Sequence, residues 1–488
     1  MNKKTENKAV SPWQWVPSLY FAQGIPYVVV MSVAVILFKR MGMSNTDIAL
    51  YTSGLNLPWV IKPLWSPLVD LLKTKRWWIV VMQILVGAGL AGIALTIQGP
   101  LAFRYCLAFM WLLAFSSATH DIAADGFYML GLNEKKQAYF VGIRNTFYRF
   151  AVIFGQGILV MFAGWLEQRY AREMPETAAI PQAWSLTFYL LTILFALLFV
   201  YHYLFLPHPR QDTCTLPPQQ ASAGRVFKEF LGTFTSFFQK KHIVSALIFI
   251  LLYRFAEAQL VKITSPFLLD TPATGGLALS TAEVGFIYGT IGVIALTIGG
   301  IVGGIAMARR GLKSCLWTMT IAMNLPNIVY LYLSFARPES IGIISGCVAI
   351  EQFGYGFGFT SLTYFMMLFS NGKHQTAHYA ICTGFMALGL MLPGMISGWI
   401  EESIGYRAFF VWIMLCTIPS FWATHLVRKN LTDNHSDNSI KKRVCLLTMP
   451  AFRTEPAEVY FWELNHRFRR FGYRSKQSLR IHKGSRYT

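Results

Sequence analysis

Charge is scarce in this chain, and acid is scarcer than base. Asp, Glu, Lys and Arg make up only 14% of its 488 residues, 23 acids against 43 bases, where an average soluble domain carries about 25% charge. That shortage excludes most soluble enzymes. Cysteine is also sparse: seven residues, at Cys106, Cys214, Cys315, Cys347, Cys382, Cys416 and Cys445. They are odd in number and scattered, without a C-x-x-C pair, which argues against a structural zinc site and against a disulfide framework. No glycine-rich loop ending in Lys-Ser/Thr is present, so the phosphate-cradling signature of an ATP-driven pump is missing. No nucleophile elbow or cluster of metal ligands stands out either, and neither enzymatic activity nor a metal or cofactor is expected.

Apolar residues fill the space that charge leaves. They account for 54% of the chain, its mean hydropathy is +0.42, and they come in runs of about 20 or more, the length that crosses a hydrocarbon layer roughly 30 Å thick. The sequence therefore predicts an all-α polytopic membrane protein. Runs bounded by charge and turn residues predict twelve spans. Six fall near 16 to 38, 46 to 69, 78 to 98, 102 to 130, 138 to 165 and 184 to 206, and six near 242 to 269, 281 to 306, 315 to 335, 340 to 370, 376 to 400 and 406 to 427. The proline-bearing stretch Pro207 to Lys241 reads as a linker between an N-terminal half, 1–206, and a C-terminal half, 242–428. A basic tail, 429–488, follows.

The formal net charge of +20 has a specific meaning in such a protein. Alternate loops collect Lys73, Lys75, Arg76, Lys135, Lys136, Arg309 and Arg310 together with the basic N-terminus and linker, while the opposite loops mix base with acid. By the positive-inside rule both termini are expected in the cytoplasm, and the surplus is assigned to the lipid surface, not to nucleic acid. The first span is too long for a signal peptide and is read as a retained helix. In the tail, Arg467 to Arg480 mixes basic and aromatic residues, which suits an anionic membrane surface or a disordered extension.

The two halves share a pattern. Asn133 to Ile143 leads to Ala163-Gly-Trp-Leu-Glu167, and Asn371 to Ile381 leads to Ser397-Gly-Trp-Ile-Glu401. A polar loop, a glycine-containing span and a Gly-Trp-aliphatic-Glu exit recur at one spacing, the mark of an internal duplication. Two six-helix halves around a central cavity form the major facilitator architecture, with the substrate site near the midplane. Gly299, Gly300, Gly303 and Gly304, and Gly354 with Gly358, read as close helix packing or hinges.

Ionisable residues inside spans cost at least about 2.5 kcal/mol each at a helix centre, so each needs a partner or a wet cavity. The candidates are Lys62, His120, Asp121, Asp125, Arg144, Arg149, Arg254, Glu257, Lys262 and Glu351. Asp121 and Asp125 stand four apart on one helix face. They are candidates for proton coupling, with pairing to Arg144 or Arg149 as the alternative reading. Arg254 and Glu257, three apart, are expected to pair along their helix. Lys62, beside Pro63 and Pro67, is a donor for freed carbonyls or an anion site. Asp70 among Lys73, Lys75 and Arg76 suggests a cytoplasmic gate.

Four segments, Phe21 to Tyr27 (FAQGIPY), Lys62 to Asp70 (KPLWSPLVD), His120 to Gly126 (HDIAADG) and Phe147 to Ala151 (FYRFA), resemble in order and spacing the motifs of AmpG-type muropeptide permeases. These belong to a major facilitator branch that also includes acetyl-CoA transporters. The resemblance is strong over roughly 16 to 170, weaker over 240 to 428 and absent from the tail; His120 departs from the Gln usual at its position. It implies proton-driven import of anhydromuropeptides across a bacterial inner membrane, with Asp121 and Asp125 as proton sites. Lys62, Arg144 or Arg149 would anchor an anionic sugar-peptide, and Asp70, Lys75 and Arg76 would serve the gate. The other readings are a proton-linked porter for acetyl-CoA, a sugar or a drug, and a membrane scaffold without transport.

Overall fold

The computed structural model describes residues 10–209, 212, 232, 234–371 and 375–431; most of the expected linker and the tail beyond Leu431 lie outside the described residues. Nine helical runs among the described residues are long and apolar enough to cross a membrane. They begin with α1 (Pro12–Arg40), α4 (Lys75–Thr96) and α5 (Ala102–Gly131). Next, α6 (Glu134–Val152) runs through a wide π-helical turn, Ile153–Ile158, into α7 (Leu159–Tyr170). Then come α8 (Glu176–Phe205), α9 (Ile243–Leu269), α10 (Thr281–Arg310) and α11 (Leu312–Ala336). The last run, His378–Asn430, is 53 residues long. It comprises α13 (Gln375–Leu415) and α14 (Thr417–Asn430), and Gly405, at φ 74° and ψ 162°, breaks α13. That positive φ is open to glycine and strained for other residues.

One expected span takes a different form. Between α1 and α4 the chain makes two short helices, α2 (Asn45–Gly54) and α3 (Leu57–Leu72), where the sequence predicts one from 46 to 69. Pro58 at the start of α3 explains the break, since proline suits a first helical turn and not a helix interior. The span expected at 340 to 370 forms as α12 (Ile341–Phe369), 29 residues long and carrying Glu351 and several glycines. Local sequence fixes the helix starts: Ser44 accepts from the Asp47 amide at 3.0 Å, Thr74 from Trp77 at 3.1 Å and Asn133 from Lys136 at 3.0 Å. Ser280 and Glu283 form a reciprocal cap ahead of α10.

The exterior is apolar, the reverse of a soluble protein. Leu197, Ile193 and Leu204 on α8 and Trp399 on α13 are exposed, and a belt of such residues is stable only against lipid. Inside, glycines let backbones touch. A Cβ at Gly299 of α10 would stand 2.1 Å from the Phe353 carbonyl of α12, and one at Gly354 would stand 2.1 Å from the Ala322 carbonyl of α11. The glycine spacings seen in the sequence are thus helix-packing surfaces. Gly299→Leu should lower the thermal unfolding midpoint of the purified protein and its membrane yield, because overpacking against backbone costs about 1–3 kcal/mol. An unchanged midpoint would show that α10 and α12 can separate freely.

Candidate functional site

The close approach of α1 to α6 builds the first wall of the site. A Cβ at Gly24 would lie 2.6 Å from the Ala151 Cβ and 3.2 Å from the Tyr148 carbonyl, so the glycine sets the two helices almost in backbone contact. Pro26 removes a ladder hydrogen bond two residues later, and α1 then widens into a π-helical turn at Val29–Val33. These features bring Tyr20, Gln23 and Tyr27 of α1 up to the acids of α5.

Asp121 and Asp125 do lie on one face of α5, and each has its own cation. Asp121 accepts from the Lys62 ammonium of α3 and from the Gln23 amide. Asp125 accepts from Arg144 of α6 at 3.2 Å and from the Tyr20 hydroxyl at 3.0 Å. The Arg144 guanidinium also donates to the Tyr20 oxygen at 3.0 Å and stacks over the Tyr20 and Tyr128 rings, 4.8 and 5.1 Å from their centroids. Lys62 and Asp121 keep 24% and 22% of their side chains open, so the pair is only partly enclosed. Two adjacent pairs of opposite sign remove the repulsion that two bare carboxylates would suffer. They also create ion pairs that a proton or a competing anion can open.

Arg149 is not part of either pair. It makes no ion pair or hydrogen bond among the described residues, and it lies within electrostatic reach of Tyr27, Tyr148 and Tyr355. From the C-terminal helices, Arg254 sits at a break in α9 between Ile243–Leu252 and Phe255–Leu269. The i, i+3 pairing with Glu257 expected from sequence does not form, although the Arg254 carbonyl accepts from the Ala258 amide at 2.8 Å and one turn connects the two residues. Arg254 instead donates to the Tyr355 hydroxyl and stacks over Tyr355 and Phe359 at 5.1 and 5.0 Å. Glu257 and Glu351 are buried; Glu351 accepts from Tyr330 at 3.1 Å and from Gln352 at 2.9 Å. Lys262, also buried, donates to Thr52 of α2 at 3.2 Å.

At the end of the molecule where α1, α7 and α9 finish, polar bonds join the N-terminal helices to the C-terminal ones. Lys39 pairs with Asp270 at 2.7 Å. Asn45 donates to Glu401 at 2.6 Å and to the Tyr406 oxygen at 2.9 Å. Glu167 accepts from Arg40 at 3.0 Å, Trp184 at 2.7 Å and Thr281 at 2.7 Å. The repeated Gly-Trp-aliphatic-Glu exits thus become reciprocal contacts: Glu167 reaches the start of α10, and Glu401 reaches the start of α2. Their glycines do the same, since a Cβ at Gly164 would lie 2.3 Å from the Ala282 nitrogen and one at Gly398 2.0 Å from the Asn45 carbonyl.

At the opposite end, no hydrogen bond or ion pair joins the two groups of helices among the described residues. Lys75 and Arg76 lie there, and their backbone amides at the start of α4 donate to Asp212 at 2.7 and 3.0 Å, an anion held by a helix N-terminus. The Arg76 side chain donates to the Leu206 carbonyl at 3.3 Å and to that of Tyr203. The Asp70 side chain lies outside the described residues. His120 faces away from Asp121 and shares Gln83 with His202 in a buried polar chain ending on Ser18. Sequence reasoning missed Gln23, Tyr20, Asn45, Asp270 and Asp212; no local spacing marks them, because each partner is remote in sequence.

Residues 18–377 match the Major Facilitator Superfamily. The putative transporter AmpG 4 of Rickettsia conorii is 25% identical over 415 residues, 83% of this chain and 93% of that protein. The anhydromuropeptide permease of Escherichia coli is 24% identical over 432 residues, 87% of this chain and 81% of that protein. Among solved structures, a POT family transporter in complex with thioalcohol conjugated peptide superposes with a TM-score of 0.66 at 10% identity, covering 86% of this chain and 96% of that one. A bacterial homolog of the human lysosomal transporter Spinster, inward-facing and unoccupied, gives 0.60 at 15% identity, covering 86% and 97%. At such identities these likenesses describe the fold.

Proposed function

The chain belongs to the Major Facilitator Superfamily, a superfamily of membrane transporters and not of enzymes, and from that premise we propose that it imports anhydromuropeptides across a bacterial inner membrane, driven by protons. The observation that carries this reading is the convergence of the four motif segments on one polar cluster. Phe21 to Tyr27 supplies Gln23 and Tyr27, Lys62 to Asp70 supplies Lys62, His120 to Gly126 supplies both acids, and Phe147 to Ala151 supplies Tyr148 and Arg149. The likeness to the anhydromuropeptide permease of Escherichia coli over most of both chains supports the cargo.

The mechanism is competition for cations. In the resting state Lys62 is held by Asp121 and Arg144 by Asp125. A proton on either carboxylate weakens its pair and frees the cation to hold a carboxylate of the peptide or lactyl part of the cargo, with Arg149 assisting. Proton and anion then bind together, and the neutralised site favours one arrangement of the helices over the other. The last run, counted as two spans on either side of its break at Gly405, completes, with α2 and α3 together, α12 and the other eight apolar runs, a count of twelve spans. These divide into an N-terminal half, 1–206, and a C-terminal half, 242–428, with the linker, 207–241, and the tail, 429–488, in the cytoplasm. The Glu167 and Glu401 contacts then close the periplasmic side, while Asp70, Lys75 and Arg76 belong to the cytoplasmic gate.

Right-side-out vesicles containing the protein should accumulate labelled anhydromuropeptide when the outside is made acidic, and a protonophore should abolish the accumulation. A well-inserted protein that accumulates none under an imposed gradient would overturn the reading. Accumulation indifferent to the gradient would leave the cargo and remove the proton.

A further inference from the structure

We propose that Arg149 and Arg254 form one anion site between the N-terminal and C-terminal helices, closing on a carboxylate of the cargo. The inference rests on the reading of the cargo as a carboxylate-bearing sugar-peptide and assigns a cargo-binding role to Arg254. It begins with the fate of the interior cations. Lys62 and Arg144 are paired with Asp121 and Asp125, and Lys39 and Arg40 with Asp270 and Glu167. Lys262 is buried against the Thr52 hydroxyl. Arg149 and Arg254 are the two interior arginines without an ion pair among the described residues, and both are half-buried.

The two arginines share one electrostatic neighbourhood. Tyr27 of α1 lies within electrostatic reach of both arginines, and so does Tyr355 of α12. The two tyrosines come from opposite groups of helices. Arg254 is held firmly in this position. Its guanidinium lies over the Tyr355 and Phe359 rings and donates to the Tyr355 hydroxyl, and its backbone caps the start of the Phe255–Leu269 segment. Its Nε is buried and has no acceptor. A stacked guanidinium keeps its donors in the ring-parallel plane, the geometry that a carboxylate meets with two parallel bonds. Glu257 lies near enough to feel Arg254 electrostatically but forms no salt bridge with it, and its Oε2 has no hydrogen-bond partner. Arg254 is therefore oriented but not neutralised.

Aromatic rings complete the site. Trp59 of α3 meets Tyr27 edge-on at 5.3 Å, and Tyr148 lies 6.4 Å from Tyr27. Such rings offer faces for a sugar or a peptide plane beside the anion. Two unpaired cations in one neighbourhood repel, and an anion between them attracts both. Because the arginines ride on different groups of helices, an empty site holds those groups apart and a filled one draws them together. Cargo binding and the approach of the halves become one event.

The test uses the full-length protein and two probes, a tripeptide-bearing anhydromuropeptide and the same molecule with its carboxyls amidated. Binding of each is measured for the wild type, Arg149→Gln, Arg254→Gln and Arg254→Lys, all checked for an unchanged thermal unfolding midpoint. The wild type should prefer the acid form. Either Gln variant should lose about 10- to 100-fold in binding the acid form, the scale of a charge-assisted bidentate contact, with little change toward the amide. Arg254→Lys, which keeps the charge and loses the fork, should fall between. If the wild type binds both forms alike, or if Arg254→Gln weakens both equally, the anion site is overturned while the cargo reading stands. Binding of neither form by the wild type overturns the cargo reading and the site together.

Discussion

Asp121→Ala is expected to reduce uptake by roughly 30- to 150-fold and to lower the stability of the protein in membranes. The alanine leaves the Lys62 ammonium without its carboxylate and the Gln23 amide without its acceptor. Breaking a buried pair by removing one partner costs about 3–5 kcal/mol. Roughly a quarter of each side chain is open, so water recovers part of this and about 2–3 kcal/mol is the better figure. That is a 30- to 150-fold change in any equilibrium that depends on the pair, taking about 1.4 kcal/mol per factor of ten. Asp121→Asn separates this structural cost from the coupling role. An amide still meets Gln23 and stays neutral at every pH, so Lys62 is permanently released. Gradient-driven accumulation should be lost while counterflow exchange of cargo remains measurable. The double variant Lys62→Met with Asp121→Leu should recover stability, because an uncharged pair of similar volume carries no desolvation penalty, and should still fail to transport. An Asp121→Asn protein that accumulates cargo with normal pH dependence would make this acid structural and move the search to Asp125, Glu257 and Glu351.

Composition and run length alone made the membrane class legible, since no other solvent accepts a chain with so little charge and so many exposed aliphatic side chains. The spacing of Asp121 and Asp125 correctly placed them on one helix face. Their partners were harder to read, because the choice of Lys62 and Arg144 depends on how α1, α3 and α6 pack around α5, and that packing rests on contacts such as Gly24 against Ala151. The expected Arg254 and Glu257 pair shows where a spacing rule ends. Spacing puts the two residues on one turn, but Arg254 caps that turn after the break in α9 and its side chain goes to Tyr355 and Phe359 instead. A similar break separates α2 from α3, where the hydrophobic pattern runs on past an interruption that only Asn56 and Pro58 signal. The duplicated Gly-Trp-aliphatic-Glu exit was visible as a repeat. Its role was not, because Glu167 and Glu401 find their partners at the starts of α10 and α2, across the molecule and outside any local window.

Those two glutamates carry the other large expected effect. Glu167→Ala leaves the Arg40 guanidinium, the Trp184 indole and the Thr281 hydroxyl without their shared acceptor, and Glu167 is buried. Unsatisfied donors of this kind cost about 1–3 kcal/mol each, more where charge is involved. The Thr281 bond is the one that joins the two groups of helices. Inverting a two-state balance from 99:1 to 1:99 takes about 5.5 kcal/mol, so losing this hub together with its counterpart at Glu401 should open the end they close. The readout is a single cysteine, Thr52→Cys, in an otherwise cysteine-free protein. Thr52 is buried beneath the latch against Lys262, so a membrane-impermeant maleimide added from the latch side should miss it in the parent protein and modify it readily in Glu167→Ala with Glu401→Ala. Trp184→Phe is the discriminating control, because it removes a bond within the N-terminal helices only and should leave the cysteine protected. If the cysteine stays protected in the double glutamate variant, the close glycine contacts at Gly164 and Gly398 hold that end by themselves, and the repeated glutamates serve only to satisfy their neighbours. If Trp184→Phe exposes it as well, general loosening and not a specific latch explains the labelling.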